Sequence, residues 1–449
     1  MQLNKGNISQ HKLRPIKKIA PALAVASCSL LAVGSHTALA RGEAGTWDFE
    51  TAALFYSEAD DRVSAAEPVF SATRNFEEGE SLNLKAVFDA LTGASPNGAT
   101  PSAAPQTFST PSGNSTYTTG VDEAPIDDTF RDTRVALSAS WSAPINREWA
   151  YNTAVYGSKE YDYLSIGTSG GVKHYLNNKN TTLNGGLSFS FDRIKPEGDI
   201  ASPLAKMGFN DTDFNASRNA SSDAKTIMDA LIGVTQVINR NTIMQFNYSL
   251  SLSEGYLNDP FKILSVIDDD TASANYGGNI IEGGNHVYLH EARPDSRAKH
   301  SLYWQTKYAL ANGDVVDGSY RFMLDDWGIN SHTFDLRYRL QFGSNYLEPH
   351  LRYYMQSEAD FYKRYMTSTE YNSGSPVLSE ASSDYRVGDL NSMTVGLKYG
   401  HKLANDHEVN MRIEYYLQNN SGDKGIGLLK DQDLYPDTSA FIFQVGYSF

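Results

Sequence analysis

Two sets of charged side chains in this 449-residue chain could do chemistry. The first set lies between residues 321 and 414, where charged residues alternate with apolar ones. Because side chains alternate across a β-strand, these charges would share one sheet face, which in a closed barrel is the interior. The members of this interior set are Arg321, Asp335, Arg337, Arg339, Glu348, Arg352, Lys398, Arg412 and Glu414.

The interior set has two interpretations. Guanidinium groups stay charged at physiological pH, so a basic wall would favour anionic or zwitterionic solutes. The acidic members could instead pair with the basic ones, fill the interior and leave no role in transport. The sequence leaves both interpretations open. In the N-terminal half the polar strand faces are richer in Ser, Asn and Gly. The electrostatic field in the interior would therefore be asymmetric.

The second set lies where the predicted strands meet their longer connections. Carboxylate oxygens are the ligands that Ca²⁺ prefers, so this set is a candidate Ca²⁺ site and could bridge cations to lipopolysaccharide. Most of its acidic clusters contain their own Arg, which favours ion pairs that hold the connections together. The members of this rim set are Glu58, Asp60, Asp61, Arg62, Asp89, Asp132, Arg134, Glu160, Asp162, Asp295 and Arg297.

No enzyme is predicted, and no residue is assigned a catalytic role. His286, Tyr288 and His290 would share a strand face, but their spacing lacks a clear third metal ligand. The sequence has no Gly-x-Ser-x-Gly nucleophile motif at a strand-to-helix turn and no glycine-rich phosphate loop after a parallel strand. Apart from the candidate Ca²⁺, no cofactor is expected.

The elements that must position these charges are sixteen alternating segments. In 242–252, 334–342 and 409–417 apolar or aromatic residues occupy every second position, which predicts strands with one polar face. Each segment is long enough to cross a bilayer at a tilt. The predicted strands are 45–57, 63–76, 80–92, 132–144, 148–161, 163–176, 181–194, 223–239, 241–256, 297–311, 314–325, 331–343, 346–359, 386–403, 407–420 and 437–449.

The last of these segments ends on an aromatic residue. Apolar side chains alternate from Phe441 to Phe449, so one face is continuous hydrocarbon. A C-terminal amphipathic strand ending in Phe resembles the signal that the barrel-assembly machinery recognises. We therefore expect that machinery, and outer-membrane lipid, as partners.

The connections also alternate. Those after even-numbered strands are tight and hold Asn, Gly and Asp, whereas every long one follows an odd-numbered strand. This asymmetry predicts an all-β transmembrane antiparallel barrel of about 16 strands, with short periplasmic turns and long extracellular loops. A soluble β-sandwich or propeller would also alternate, but mid-strand charges and a face rich in Tyr and Phe favour the barrel. Residues 93–120 are expected to be a flexible surface loop, and 93–131 and 257–295 are candidates to constrict the interior.

The first forty residues resemble a secretory signal. Five basic residues precede an apolar run from Ile19 to Val33, and small residues follow, so cleavage is expected after Ala40. A retained anchor and a lipoprotein acylated at Cys28 are the less favoured alternatives. The division predicted is 1–40 signal peptide and 41–449 barrel, located in the bacterial outer membrane.

Composition narrows the function classes. The chain has 38 basic and 53 acidic residues, a net charge of −15. Removal of 1–40 takes away five basic residues and no acidic ones, which leaves −20 and argues against nucleic acid as a partner. It also removes the only cysteine, so no disulfide can form in the mature chain.

Five stretches carry a family resemblance: 56–62, 89–99, 160–165, 255–260 and 293–297. They resemble the bacterial family catalogued as domain of unknown function 3570, across essentially the whole mature chain. The resemblance implies an outer-membrane barrel of unassigned activity, and members are found near flavin-transferase and thioredoxin-like genes. The function predicted is a channel or transport-type barrel for a small polar solute. The alternative is a non-conducting structural or scaffold barrel that partners a periplasmic redox or flavin system.

Overall fold

The computed structural model describes residues 45–449 except 61 and 372–375, so the predicted signal peptide lies outside the described residues. Sixteen strands form one closed barrel, in which successive barrel strands pair antiparallel and the first pairs with the last. They are β1 (Trp47–Glu58), β2 (Ser64–Asn75), β3 (Ser81–Pro96), β4 (Ile126–Pro144), β5 (Trp149–Lys159), β6 (Tyr163–Leu176), β7 (Thr181–Ile194), β8 (Asp223–Asn239), β9 (Thr242–Gly255), β10 (Ser296–Ala309), β11 (Val315–Asp325), β12 (Asn330–Phe342), β13 (Asn345–Gln356), β14 (Asp389–Lys402), β15 (Glu408–Ser421) and β16 (Thr438–Ser448).

The predicted closed antiparallel barrel is confirmed, because each predicted segment coincides with one of these strands. The largest difference in bounds is at β3 and β4, which extend past the predicted ends at residues 92 and 132. Gly93 has φ +133, and a Cβ there would lie 2.2 Å from the carbonyl oxygen of Arg62. The register shifts between Gly93 and Ser95, so the two strands continue to pair beyond this bend.

The barrel exterior is apolar. Leu187 is 66% exposed, Ile232 64% and Leu137 58%, and similar side chains recur at every second position along the strands. Water offers no apolar contacts to a surface of this kind, whereas the hydrocarbon chains of lipid do. A closed barrel satisfies its backbone hydrogen bonds internally, so it can span the hydrocarbon region. Among the described residues, no helix is both long and apolar enough to cross a membrane.

Strand β16 closes the barrel. It pairs with β15 on one side and β1 on the other. Beyond its end, the backbone N–H of Phe49 donates to the carbonyl of Phe449 at 2.7 Å, and the reverse bond is 2.9 Å. The two rings stack with centroids 5.3 Å apart. The C-terminal residue therefore belongs to the seam.

The connections differ between the two ends of the barrel. Connections after even-numbered strands are short, as between Asn239 and Thr242. At the other end the connections 97–125, 195–222, 256–295, 357–388 and 422–437 fold together, and we call them the cap. The expectation that 93–120 is a flexible surface loop is wrong, because the stretch forms a hairpin in which Phe108 is fully buried.

The cap has its own small elements. Three strand pairs, one three-stranded sheet, two short helices and two 3-10 turns can be distinguished among its described residues. They are the pairs Gln106–Ser109 with Thr116–Thr119, Ile200–Ala201 with Arg218–Ala220 and Ile281–Glu282 with Asn285–His286; the sheet Tyr288–His290, Ile263–Ile267 and Met366–Thr367; helices α1 (Asp211–Ala216) and α2 (Ser368–Tyr371); and the 3-10 turns Tyr385–Val387 and Gly427–Leu429. A further 3-10 turn, Ala404–Asp406, lies at the opposite end.

The apolar core lies mainly in the cap. One cluster joins Leu204, Leu264, Val287 and Met366, which come from three different connections. Another joins Phe108 with Met207 and Tyr288 of two other connections, and all are nearly inaccessible to solvent. Such burial stabilises a fixed arrangement of the connections. The cap is thus a packed unit, and the barrel beneath it presents its apolar side chains outward.

Candidate functional site

Three basic side chains share a cavity inside the barrel. Lys299 on β10, Arg321 on β11 and Arg352 on β13 line a space of about 260 Å³. Arg352 stands between Leu351 and Tyr353, which are 46% and 38% exposed on the outer face, so Arg352 points to the interior. Within the described part of the chain, none of the three cations forms an ion pair. Of the described residues that line the cavity, Asp229 alone contributes a carboxylate.

Most other members of the interior set form ion pairs. Arg337 lies 3.3 Å from Asp335, and Arg339 lies 2.8 Å from Glu348. Lys398 lies 5.7 Å from the centroid of the Tyr346 ring. Arg412 is 4.0 Å from Glu414. The two sequence-based interpretations therefore apply to different residues: ion pairs account for six of the nine members, whereas Arg321, Arg352 and Lys398 form no ion pair with any described residue.

A histidine that sequence reasoning missed connects two acidic members of the set. His350 on β13 lies with Nε2 2.9 Å from Asp335 and Nδ1 2.9 Å from Glu414. Glu414 is on β15, so its side chain must cross β14 at Gly396. A Cβ at Gly396 would lie 2.7 Å from the Glu414 side chain, so glycine makes room for this contact.

The rim set divides into pairs and isolated carboxylates. Arg62 lies 3.3 Å from Glu58, Arg134 pairs with Asp89, and Arg297 pairs with Asp325. Arg297 also lies 4.2 Å from the centroid of the Trp327 ring. These contacts tie strand ends together. Exposed members without an ion pair among the described residues are Asp60 and Asp295, and Asp61 lies outside the described residues.

Three further rim carboxylates are buried together. Asp132, Glu160 and Asp162 are each less than a tenth exposed. Burial, reinforced by the charge of Asp132, raises the pKa of Glu160 to about 8 and that of Asp162 to about 7. Among the described residues, no group of three His, Cys, Asp or Glu side chains is arranged to hold a metal ion. The candidate Ca²⁺ site stays a prediction without a defined set of ligands.

The His286, Tyr288 and His290 stretch belongs to the cap. Tyr288 donates to Gln106 at 2.7 Å, and His286 lies 3.4 Å from the Tyr288 hydroxyl. His290 is buried, and neither ring nitrogen has a hydrogen-bond partner among the described residues. Burial lowers the pKa of His290 to about 3, so its imidazole is neutral. The next residue, Glu291, pairs with Arg293 of the cap.

A network of six charged side chains, five of them at least nine-tenths buried and Arg386 about one-third exposed, holds the segments of the cap together. Arg293 lies 2.7 Å from both Glu291 and Asp384. Arg386 lies 2.5 Å from Asp384 and also pairs with Asp259, while Lys262 lies alongside. The adjacent guanidinium groups hold the pKa of Asp384 far below its usual range despite burial. We call this set, which carries three positive and three negative charges, the cap network.

The cap network connects to the barrel wall. The Gln356 amide at the end of β13 donates to the carbonyls of Arg386 and Gly388, at 3.1 and 2.8 Å. The Lys262 ammonium donates to the carbonyl of Pro96, where β3 ends. The segments 256–295 and 357–388 are therefore fixed to each other and to the strand ends.

The sequence model of one family, described as protein of unknown function (DUF3570), matches residues 20–449. The chain belongs to this family. Solved structures similar to this DUF3570 chain include a bacterial polysaccharide outer membrane secretin (9% identity, 90% of this chain and 99% of that chain, TM-score 0.41). Others are the outer membrane protein opdK from Pseudomonas aeruginosa (9%, 90% and 98%, 0.37) and OmpT of Vibrio cholerae (9%, 92% and 100%, 0.40). A search of curated proteins finds no match.

The stretches that carry the DUF3570 resemblance meet at the cap end of the barrel. Residues 255–260 and 293–297 contain Asp259 and Arg293 of the cap network. Residues 89–99 supply carbonyl groups to Lys262 and Arg364, and 160–165 hold the buried Glu160. Sequence reasoning located these stretches but not the cap network, since its members come from connections far apart in the chain.

Proposed function

We propose that this DUF3570 protein is an outer-membrane channel or transport-type barrel for small polar solutes, with a preference for anionic or zwitterionic ones. The observation that carries the proposal is the interior cavity with three cations, Lys299, Arg321 and Arg352, that form no ion pair with the residues the structure describes. A charge without a counter-ion exerts its full electrostatic field, whereas the fields of paired charges largely cancel. The part of the barrel interior that holds these three cations would therefore set the ion selectivity.

The orientation follows from the asymmetry of the barrel ends. The cap would face the outside of the cell and the short turns the periplasm, as is usual for bacterial barrels. The apolar exterior of the barrel would contact lipid, and the rim set would contact lipopolysaccharide. A cleaved signal peptide would direct the chain across the inner membrane, and 441–449 would then engage the barrel-assembly machinery.

Ion selectivity in planar bilayers tests the proposal. The wild-type barrel should prefer Cl⁻ over K⁺ in a KCl gradient, and the double variant Arg321→Gln/Arg352→Gln should lower that preference by at least about twofold. The matched control is Arg339→Gln/Glu348→Gln, which removes an ion pair without changing the net charge. An unchanged reversal potential in the first variant would contradict the proposed role of the cavity.

One observation favours the alternative function. The packed cap lies across one end of the barrel, which suits a non-conducting scaffold that partners a periplasmic redox or flavin system. A barrel that stays electrically silent, even after the cap network is disrupted, and that co-purifies with a redox protein would support this alternative. Steady current would support the channel.

A further inference from the structure

A second, larger cavity lies within the cap. It has a volume of about 690 Å³ and is bounded by the β1–β2 connection and by the segments 97–125, 357–388 and 422–437. Pockets that hold small organic ligands commonly measure about 300–1,000 Å³. We call this space the vestibule. No residue that lines it also lines the basic cavity in the barrel interior.

Three tyrosines of the vestibule present unused hydroxyls. Tyr362, Tyr385 and Tyr435 line the space and are partly buried. Among the described residues, none of the three hydroxyl groups has a hydrogen-bond partner. Burial raises the pKa of Tyr435 to about 12 and raises those of the other two as well, so each hydroxyl stays protonated and can both donate and accept.

The three cations that line the vestibule are already engaged by the protein, and Arg62 is paired with Glu58 at 3.3 Å. Arg364 donates from Nε to the carbonyl of Leu434 at 2.6 Å, and from its two terminal nitrogens to Gly98 at 2.7 Å and Ala99 at 3.1 Å. The Lys262 ammonium donates to Pro96. A guanidinium that bridges three backbone carbonyls acts as a structural tie, so little remains to attract an anionic ligand.

The exposed charges of the vestibule are acidic. Asp60, Glu123 and Asp437 line its edge and are exposed. Carboxylates at an opening repel anions and accept hydrogen bonds from hydroxyl groups. A ligand that suits this lining therefore has a ring to lie against the aromatic side chains, several hydroxyl groups and no negative charge.

We infer that the vestibule binds a neutral saccharide ring through Tyr362, Tyr385 and Tyr435, with the edge carboxylates accepting sugar hydroxyls. This site goes beyond the proposed channel, since it lies in the cap and excludes the anions that the barrel interior favours. The saccharide could be free in solution or the end of a polysaccharide chain, and the recognised chemistry is the same.

Ligand-observed NMR titration of the detergent-solubilised full chain tests the inference. Glucose and glucuronate form a matched pair, because they share a ring and differ by one carboxylate. Glucose should bind, and glucuronate should bind at least tenfold more weakly. Dextran serves as the polymeric probe, and its binding without that of glucose would assign the site to a polysaccharide end.

Variants separate the vestibule from other surfaces. The triple variant Tyr362→Phe/Tyr385→Phe/Tyr435→Phe should weaken glucose, or dextran, at least tenfold, whereas Tyr415→Phe on the outer face (49% exposed) should not. The exposed variant Asp60→Asn/Glu123→Gln/Asp437→Asn should bring glucuronate within about threefold of glucose. Absence of binding by both neutral probes, equal binding of glucuronate to the wild type, or no effect of the triple variant would overturn the inference. Channel current is measured separately, so either result can fail without the other.

Discussion

His350 shows how one interior residue can set a charge state. Its two ring nitrogens face carboxylate oxygens at 2.9 Å, and both can donate only when the imidazole is protonated. The protonated form therefore carries one positive charge between Asp335 and Glu414. Loss of that proton would leave the two carboxylates with less compensation in the interior.

This arrangement predicts a pH-dependent selectivity. Between acid and alkaline pH His350 should lose its proton, so the preference for Cl⁻ should fall as the pH rises. Reversal potentials across that range measure the change. In His350→Gln the pH dependence should be much smaller, whereas His332→Gln, beside Tyr320, should behave like the wild type. A wild-type profile in His350→Gln would exclude this residue as the titrating group.

Glu160 predicts a different pH effect, on stability. Burial raises its pKa to about 8, above the ordinary value of 4.5, so the folded state binds the proton more tightly than the unfolded state does. Stability from this group is complete below about pH 4.5 and declines as the pH rises to about 8. The loss should be on the order of 2–4 kcal/mol.

The variant Glu160→Gln should remove that decline. Unfolding of the detergent-solubilised barrel at pH 5 and pH 9 measures it, and the variant should be more stable than the wild type at pH 9 only. Glu254→Gln, at an exposed position at the end of β9, is the control. Equal pH dependence in Glu160→Gln and wild type would place the titrating group elsewhere.

Sequence periodicity predicts which face of a strand a side chain occupies better than it predicts which residues that side chain contacts. Arg337 and Asp335 are two positions apart on one strand, so their proximity could be expected. The contact between His350 and Glu414 could not, because it crosses the intervening strand β14 at a glycine. A contact of this kind depends on a small residue in the intervening strand as well as on the alternation of side chains along each strand.

At the scale of elements, the C-terminal strand completes the barrel through its last residue. Phe449 stacks on Phe49 with centroids 5.3 Å apart and on Tyr447 at 5.0 Å. Phe449→Ala should remove both ring contacts and cost about 1–3 kcal/mol in unfolding from lipid vesicles. If the terminus also engages the assembly machinery, the amount of barrel in the outer membrane should fall more than stability alone explains.

Phe441→Ala is a suitable comparison for this prediction. Phe441 lies on the same strand and is 49% exposed, close to the 45% of Phe449, but it is at the cap end. A similar loss of outer-membrane barrel in both variants would show that the terminal position has no special role in assembly.

The strands were predictable and the cap was not, for a physical reason. A lipid-facing strand must alternate over its whole length, so each of the sixteen is visible locally. The hairpin around Phe108 is stabilised by contact with Tyr288, whose ring centroid is 4.8 Å away, from a distant connection. Residues 93–120 are rich in Pro, Ser and Gly and have no such periodicity, so composition alone suggested flexibility.

At the scale of the whole molecule, two kinds of stabilisation are separated in space. The barrel is stabilised by its ladder of hydrogen bonds and by lipid, whereas the cap has a buried apolar core and the cap network. The cap can therefore be disrupted without breaking the barrel. Arg386 is the residue through which this is best tested, because it pairs with Asp384 and Asp259 and its backbone is held by Gln356.

Arg386→Ala should loosen the cap and leave the barrel closed. The change leaves Asp259 buried without its partner, and breaking a buried pair costs about 3–5 kcal/mol, or about 2–4 here because the guanidinium keeps some solvent contact. The segment 357–388 should become sensitive to protease, and channel current should increase. Strand content, measured by circular dichroism, should not change.

The matched control is the exposed cap pair of Lys206 and Glu282, whose charged groups are 2.7 Å apart with side chains 41% and 43% exposed. Lys206→Ala removes one cation from the cap, as Arg386→Ala does, but an exposed pair contributes less than about 1 kcal/mol. It should leave protease sensitivity and current unchanged. If both variants behave alike, the net charge of the cap, and not the cap network, determines how firmly the cap is held. If Arg386→Ala becomes protease-sensitive without an increase in current, the barrier to conduction lies in the barrel interior below the cap.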